Sequence, residues 1–457
     1  MNRGAPPLFP AADLRDGYLR ADPGDPAAVL RAVLQARDLV GDFDKPRYVA
    51  FRAELCAQAR SQIVGGHRCL DLCPPGAIAP AGDHVAIDAA VCAGCGQCAA
   101  ACPTGAAGYA LPPADALLAK LRTLLSVYRA AGGTAPVLLL HDDDHGGPLI
   151  DALARHGDGL PANVLPVSVN ATTQLGLEAL AAAFAYGATA LRILLRAKPR
   201  HDPAGLHGVL AQAAPILAGL GLAGERVALI ETDDPFALGD ALRALAPLPP
   251  VAAAASFLPV GDKRALLRLA LHELHRVAPT PVDRIALPAG APFGAVEIDV
   301  AGCTLCLSCV AACPTGALSD DPERPRLRFA EDACVQCGLC KATCPEKVVR
   351  LVPRLDFRAT ARGPRVLKEE EPFPCIRCGK PFGVKSTIER VAAKLAERHW
   401  MYQGSADRLD VIKMCEDCRV IAATESALDP YGAPERPKLR TTDDYLRERE
   451  SRRKQDS

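Results

Sequence analysis

Two stretches of the chain, CTLCLSCVAACP at Cys303 to Pro314 and CVQCGLCKATCP at Cys334 to Pro345, repeat the spacing CxxCxxCxxxCP without a departure. No other feature limits the fold so tightly. Three thiolates on one short loop reach three iron corners of a cubane, while the fourth, beside a proline, faces the neighbouring cluster. The spacing therefore assigns Cys303, Cys306, Cys309 and Cys344 to one [4Fe-4S] cluster, and Cys334, Cys337, Cys340 and Cys313 to a second. Zinc sites also use CxxC pairs, but a zinc ion takes four thiolates in one tetrahedron and has no use for a triplet with a crossed partner.

A further copy lies near the N-terminus. Its second run, CAGCGQCAAACP at Cys92 to Pro103, is intact, whereas the first is reduced to CLDLCP at Cys69 to Pro74, with Ile63 and Gly66 where cysteines are due. Under the crossed rule Cys92, Cys95 and Cys98 need one ligand from the first run, and Cys73 stands in that place. This gives a third [4Fe-4S] cluster. The partner cluster keeps only Cys69 and Cys102, with Cys56 as a third thiolate from a neighbouring helix. The sequence favours a decayed site with three buried thiols. The alternative is a fourth iron-sulfur cluster, either [3Fe-4S] or a cubane with one non-cysteine ligand.

The last cysteines form two pairs, CIRC at Cys375 and Cys378 and CEDC at Cys415 and Cys418, separated by a helical stretch from Ser386 to Glu397. Two such pairs close a four-thiolate tetrahedron suited to one structural zinc, and a single iron fits the same ligands. Nineteen cysteines in repeated CxxC runs do not read as a secreted disulfide framework, which is normally short and evenly paired.

Between Cys102 and Cys303 there is no cysteine, and the pattern changes. From Pro136 short apolar runs, PVLLLHDDD, NVLPVSVN, ATALRILL and RVALIETDD, alternate with helices near Gln174 to Ala185 and His207 to Leu220. That alternation argues for a parallel α/β sheet. A further helix is expected over Asp262 to Val277, followed by a proline-rich connector. The sheet domain has neither GxGxxG nor GxxxxGK, so no nucleotide or phosphate fingerprint is present. His141, Asp142, Asp143, Asp144 and His145 follow its first strand, where open sheets bind ligands; a solvated charged loop is the plainer reading, metal binding or catalysis the sharper one.

The expected architecture is a multidomain α+β and α/β chain: a helical region over 1–65, a partial cluster-binding module over 66–110, the α/β domain over 135–260, a helix and linker over 261–292, a dicluster module over 293–353, a small CxxC metal domain over 372–425 and a charged tail over 430–457. Lys and Arg together number 53, matched by 53 Asp and Glu, so there is no global basic field to hold nucleic acid or an anionic membrane. The most apolar window, Leu177 to Leu195, holds Glu178, Gly187 and Arg192, and no membrane span is expected. With no apolar leader or twin arginine in its first residues, the chain is expected to be cytoplasmic.

The short strand before each triplet (AVEIDVAGC, RLRFAEDAC, HVAIDAAVC) and the turn after each Cys-Pro resemble the bacterial-type ferredoxin fold, completely over Ala295 to Val352 and in part over Gly66 to Tyr109. The segment Leu180 to Asp234 resembles the delta subunit of the methyl-viologen-reducing hydrogenases, but lacks the cysteines of that family's [2Fe-2S] cluster, so the resemblance implies a fold and a docking role alone. With the words CLDLCPPGAI, CAGCGQCAAACPTGAA, ETDDPF, CIRCGKPFG and MCEDCRV, the whole layout resembles the polyferredoxin-type 4Fe-4S proteins encoded beside bacterial formate dehydrogenases. The resemblance implies a non-catalytic electron carrier with a redox partner protein of that kind. Two other classes stay open: an accessory protein that matures a metalloenzyme and uses its clusters structurally, and an oxidoreductase with a flavin in the α/β domain.

Overall fold

A computed structural model describes residues 17–42, 44–403, 406–425 and 441–455. The chain divides into two compact units, one of Met1–Glu297, Ser308–Leu318 and Phe329–Arg365, the other of Ile298–Leu307, Ser319–Arg328 and Val366–Ser457.

The first unit is organised by a four-stranded parallel sheet in the order Val227–Glu231, Ala190–Leu195, Val137–Asp142, Val164–Val169. Numbered along the chain this is the order 2-1-3-4 of a doubly wound sheet, with its switch point between the first and third strands. Successive side chains of a strand face opposite ways, and the core divides accordingly. Leu138, Leu140, Leu191 and Ile193 join one cluster with the helices Ala114–Ala130, Leu177–Ala185, Ala204–Gly219 and Lys263–Arg276. Val137, Leu139, Ala190 and Leu194 face the helices Gly146–His156 and Pro235–Arg243. Burial on both faces explains why ALRILL has no polar alternation apart from Arg192. Its buried guanidinium is satisfied by the carbonyls of Leu191 and Glu225 at 2.8 and 3.1 Å.

Helix Lys263–Arg276 starts where the sequence says it should, with the Asp262 carboxylate accepting from Ala265 N at 2.8 Å as N-cap. Helix Pro235–Arg243 has the same device in Asp234, plus proline in the first turn. That helix, Gly146–His156 and Ala114–Ala130 were not foreseen in the sequence.

The N-terminal cluster-binding module reaches further upstream than residue 66. Strand Val49–Phe51 pairs antiparallel with Ala107–Tyr109, and residues 48–65 belong to this module rather than to a helical region. Among the described residues before it, helix Pro26–Asp38 buries none of its residues. In the dicluster segment the short helices Ser308–Ala311 and Leu339–Thr343 carry the second halves of the two runs. Strand Val349–Asp356 pairs with Arg284–Ala286, drawing the connector into the fold.

The second unit holds the antiparallel pair Pro372–Pro374 and Pro381–Val384 and the helices Lys385–Arg398, Ala406–Ile412 and Glu416–Glu425. The charged tail expected over 430–457 lies partly outside the described residues; Thr442–Gln455 is helical.

Candidate metal and cluster centres

Each intact cysteine loop places a left-handed residue on either side of its middle cysteine. These are Gly94 and Gly96 around Cys95 (φ +77° and +76°), Gln336 and Gly338 around Cys337 (+55° and +87°), and, in the second unit, Leu305 and Leu307 around Cys306 (+50° and +59°). Left-handed backbone is rare outside glycine, and three non-glycine residues holding it at matched positions marks a constraint imposed by the site. Alternation of backbone hand makes the concave N–H nests that bind anions, iron-sulfur clusters among them.

Around the N-terminal triplet, Cys98 has its thiol pushed far up by burial and by neighbouring Cys95, Cys92 and Cys73. Cys73, assigned to this cluster by its spacing, accepts at its sulfur from Ala77 N at 3.2 Å. Thiolates crowded around buried Cys95 and Cys98 repel one another's charge, and the positive core of an iron-sulfur cluster is what would relieve them. The α/β domain grips this loop from the edge where such sheets usually bind ligands: Thr173 donates to the Cys95 carbonyl at 2.6 Å, and Asn170 donates to the Tyr109 hydroxyl, which donates on to the Gly94 carbonyl at 2.7 Å. Gly96 is needed for space as well as conformation, since a Cβ there would meet Gln174 at 2.5 Å.

In the later triplet Cys340 is pushed up by burial and by Cys334, Cys337, Cys313 and Cys309. Burial raises Cys334 to about 11, against bonds from Gln336, whose Nε2 donates to its sulfur at 3.3 Å and to Ala295 O at 3.1 Å. The buried Arg264 donates to the carbonyls of Cys334, Asp332 and Pro292 at 2.7, 3.2 and 2.6 Å. Its neighbour Lys263 donates to the carbonyls of Ala99 and Ala100 in the N-terminal cluster helix. Adjacent residues of one helix thereby hold two cluster loops. Of the remaining quartet, half-buried Cys309 and Cys344 lie in the first unit. Buried Cys303 and exposed Cys306 lie in the second, where Lys368 donates to the Cys303 carbonyl.

Cys375, Cys378, Cys415 and Cys418 bring all four sulfurs within 4.8 Å of one another. Among the described residues no other three or more His, Cys, Asp or Glu do so. A tetrahedral ion with sulfur at about 2.3 Å implies sulfurs about 3.8 Å apart, and Cys378 and Cys415 are 3.7 Å apart. Burial works to raise Cys375, but backbone N–H groups of Cys378, Cys415 and Arg377 outweigh it and hold the thiol down at about 6, the form that binds metal. Cys418 is pushed up to about 12 by burial and by the other three thiols, a repulsion a bound cation removes.

The acidic loop after the first strand is engaged structurally. Asp142 caps the next helix through His145 N and Gly146 N at 2.6 and 3.2 Å, His145 Nε2 lies 3.0 Å from Asp233, and Asp144 pairs with Arg200. The crevice beside it is only about 50 Å³, against several hundred for a cofactor pocket.

Cysteine loops of matched backbone define an iron-sulfur protein with two ferredoxin-type 4Fe-4S segments. Residues 302–348 match the 4Fe-4S dicluster domain family and residues 85–107 the 4Fe-4S binding domain family. Over 43 residues the chain is 46% identical to the polyferredoxin-like subunit of an aliphatic sulfonate oxidoreductase from Pyrococcus furiosus, a match covering 9% of this chain and 25% of that protein. No helix among the described residues is long and apolar enough to cross a membrane.

Proposed function

We propose that the chain is an electron-transfer component that passes electrons through [4Fe-4S] clusters to or from a partner oxidoreductase. The clusters are held by Cys73, Cys92, Cys95 and Cys98, by Cys313, Cys334, Cys337 and Cys340, and, by spacing, by Cys303, Cys306, Cys309 and Cys344. The observation that carries the reading is the pair of left-handed residues around Cys95 and around Cys337, in segments that match 4Fe-4S families; with Cys73 and Cys313 as crossed ligands, as the spacing assigns them, neighbouring redox centres lie side by side. The polyferredoxin-like relative is a subunit of an oxidoreductase, which supports a partner of that class; formate dehydrogenase is the partner suggested by the chain's layout. Against a flavin enzyme stands the crevice at the strand ends, too small for a flavin ring and closed by the loop that grips Cys95. Against a purely structural role stand the cationic Lys263, Arg264 and Lys368, each on carbonyls at or beside a cluster loop, where they favour the reduced, more negative cluster.

The test is anaerobic reduction. A carrier bleaches its broad visible absorption with dithionite, regains it with an oxidised viologen and repeats the cycle without iron loss. A chain that resists reduction, or sheds iron on the first cycle, is a scaffold.

The terminal four-thiolate set holds one zinc as a structural clip. Serine at Cys375 or Cys415 is expected to cost one metal ion per chain and the protease resistance of residues 372–425, with cluster reduction intact, because a closed tetrahedron has no open position for chemistry. Elemental analysis beside limited proteolysis checks this, and iron at that site in freshly isolated protein would replace zinc in the assignment.

A further inference from the structure

Three of the four ligand stations expected of a ferredoxin cluster survive in the degraded N-terminal run, and two of them have the backbone conformation of their counterparts in the intact run. Cys56 ends the one-turn helix Ala53–Leu55 at φ −71° and ψ 133°, its N–H on Ala53 O at 3.0 Å. Cys334, first cysteine of an intact triplet, ends Glu331–Ala333 at φ −74° and ψ 129°, with the same 3.0 Å bond to Glu331 O. Cys102 leaves helix Gln97–Ala101 at φ −67° and ψ 114°, and Cys344, the crossed ligand of the last run, leaves Leu339–Thr343 at φ −68° and ψ 114°. The Cys102 sulfur accepts from Ala107 N at 3.4 Å. Cys69 sits on the short helix just before Cys73, as Cys309 does before Cys313.

What is lost is the middle thiolate. Between Cys56 and Cys69 the chain runs through twelve residues where an intact triplet has five, and the addition folds as the hairpin Ala59–Arg60 and Ile63–Val64. The insertion hid Cys56 as a first ligand, because CxxC spacing is what a sequence reader looks for.

The three sulfurs line a cavity of about 300 Å³ with Gly65, Gly66 and Cys337. On the same wall is Gln58, only 4% exposed, whose Oε1 has no hydrogen-bond partner. A buried amide oxygen without a partner is costly unless something in the cavity meets it.

We propose that Cys56, Cys69 and Cys102 hold a fourth iron-sulfur cluster, a cubane with three thiolate-bound irons and one iron left to a non-cysteine ligand, for which Gln58 Oε1 is the buried acceptor at hand. The inference rests on the electron-transfer reading and extends it. Cys69 packs against the apolar cluster that includes Cys98 of the first quartet, and Cys337 of the second lines the same cavity as Arg68 and Cys102. A cluster there fills the gap between the two quartets of the first unit and makes their redox centres contiguous.

The full-length chain, purified without air, is the sample. Four cubanes give about 16 irons per chain and three give about 12. One equivalent of ferricyanide takes an electron from the three-thiolate cubane, so that [4Fe-4S]2+ becomes [3Fe-4S]+ and releases one Fe2+. The expected result is a [3Fe-4S]+ paramagnetic signal that is lost in Cys56→Ser and Cys69→Ser, each with about four irons fewer, and kept in Cys306→Ser, whose own cluster lies elsewhere. A wild-type content near 12 without that signal, or Cys69→Ser protein with unchanged iron, overturns the fourth cluster while leaving three intact. Failure of the three-cluster reading looks different, as iron well below 12 and no reversible reduction.

Discussion

Replacing Cys313 by serine is expected to strip or convert the cluster held by Cys334, Cys337 and Cys340, and to leave the one nearest in sequence unchanged. The reason is spatial. Cys313 ends the run that begins at Cys303, but under the crossed rule it serves the cluster of the next run, whose helix Leu339–Thr343 packs against Ser308–Ala311 just before Cys313. A cubane that loses one of four thiolates loses an iron corner or takes an oxygen ligand in its place, so the effect is loss or conversion of one whole cluster, about four irons. Paramagnetic resonance of the reduced protein separates the possibilities. Cys313→Ser should remove the same spectral component as Cys337→Ser, and a spectrum matching Cys306→Ser instead would overturn the crossed pairing.

How much was legible varies with the physics of each element. The cysteine runs were read correctly as loops because cluster geometry fixes spacing in the chain itself. The parallel sheet was legible because strands buried on both faces must be apolar throughout, as ALRILL and VLLLHD nearly are. Helix Pro235–Arg243 carried a readable start in Asp234 and Pro235, but the acidic residues were attributed to the end of the preceding strand. Strand Val49–Phe51 was too short to signal, and its place depends on a partner, Ala107–Tyr109, far along the chain. For the same reason Cys56 looked like a stray thiol: the hairpin that separates it from Cys69 has no meaning until folded.

The α/β domain illustrates a second limit. Its sequence lacks any cofactor fingerprint, which suggested a platform for a partner. In the structure its strand-end loop is already occupied, with Asn170, Thr173 and Gln174 packed on the cluster loop around Cys95. Gly205 at the start of the next long helix donates to the buried Gln97 side chain at 3.0 Å. Residues that would bind a ligand in another doubly wound sheet here hold a redox module, an arrangement no local pattern reveals. Excising the domain would therefore disturb the N-terminal cluster, so point substitutions are the cleaner probe of the assembly.

Arg264 is the position where one such substitution should matter most. Burial lowers its guanidinium to about 10, still protonated at neutral pH, and it donates to three carbonyls, including that of Cys334. Its face also lies over the Phe293 ring at 4.2 Å. In Arg264→Met the three carbonyls lose a cationic donor in a site water reaches poorly. Hydrogen bonds to a charged group are worth about 1.5–3 kcal/mol each and do not add fully, so the expected loss is roughly 3–5 kcal/mol of local stability. The electrostatic effect has its own sign. Reduction adds negative charge to the cluster, a nearby cation favours it, and removing the cation makes the reduction potential of that cluster more negative while the others stay put. Arg264→Lys separates the two effects: the ammonium keeps the charge but cannot span three carbonyls, so the potential should stay near wild type while iron release to a chelator speeds up. Potentiometric titration followed cluster by cluster, beside chelation rates, reads both. Equal potentials in all three proteins would mean that Arg264 braces the loop without tuning the cluster.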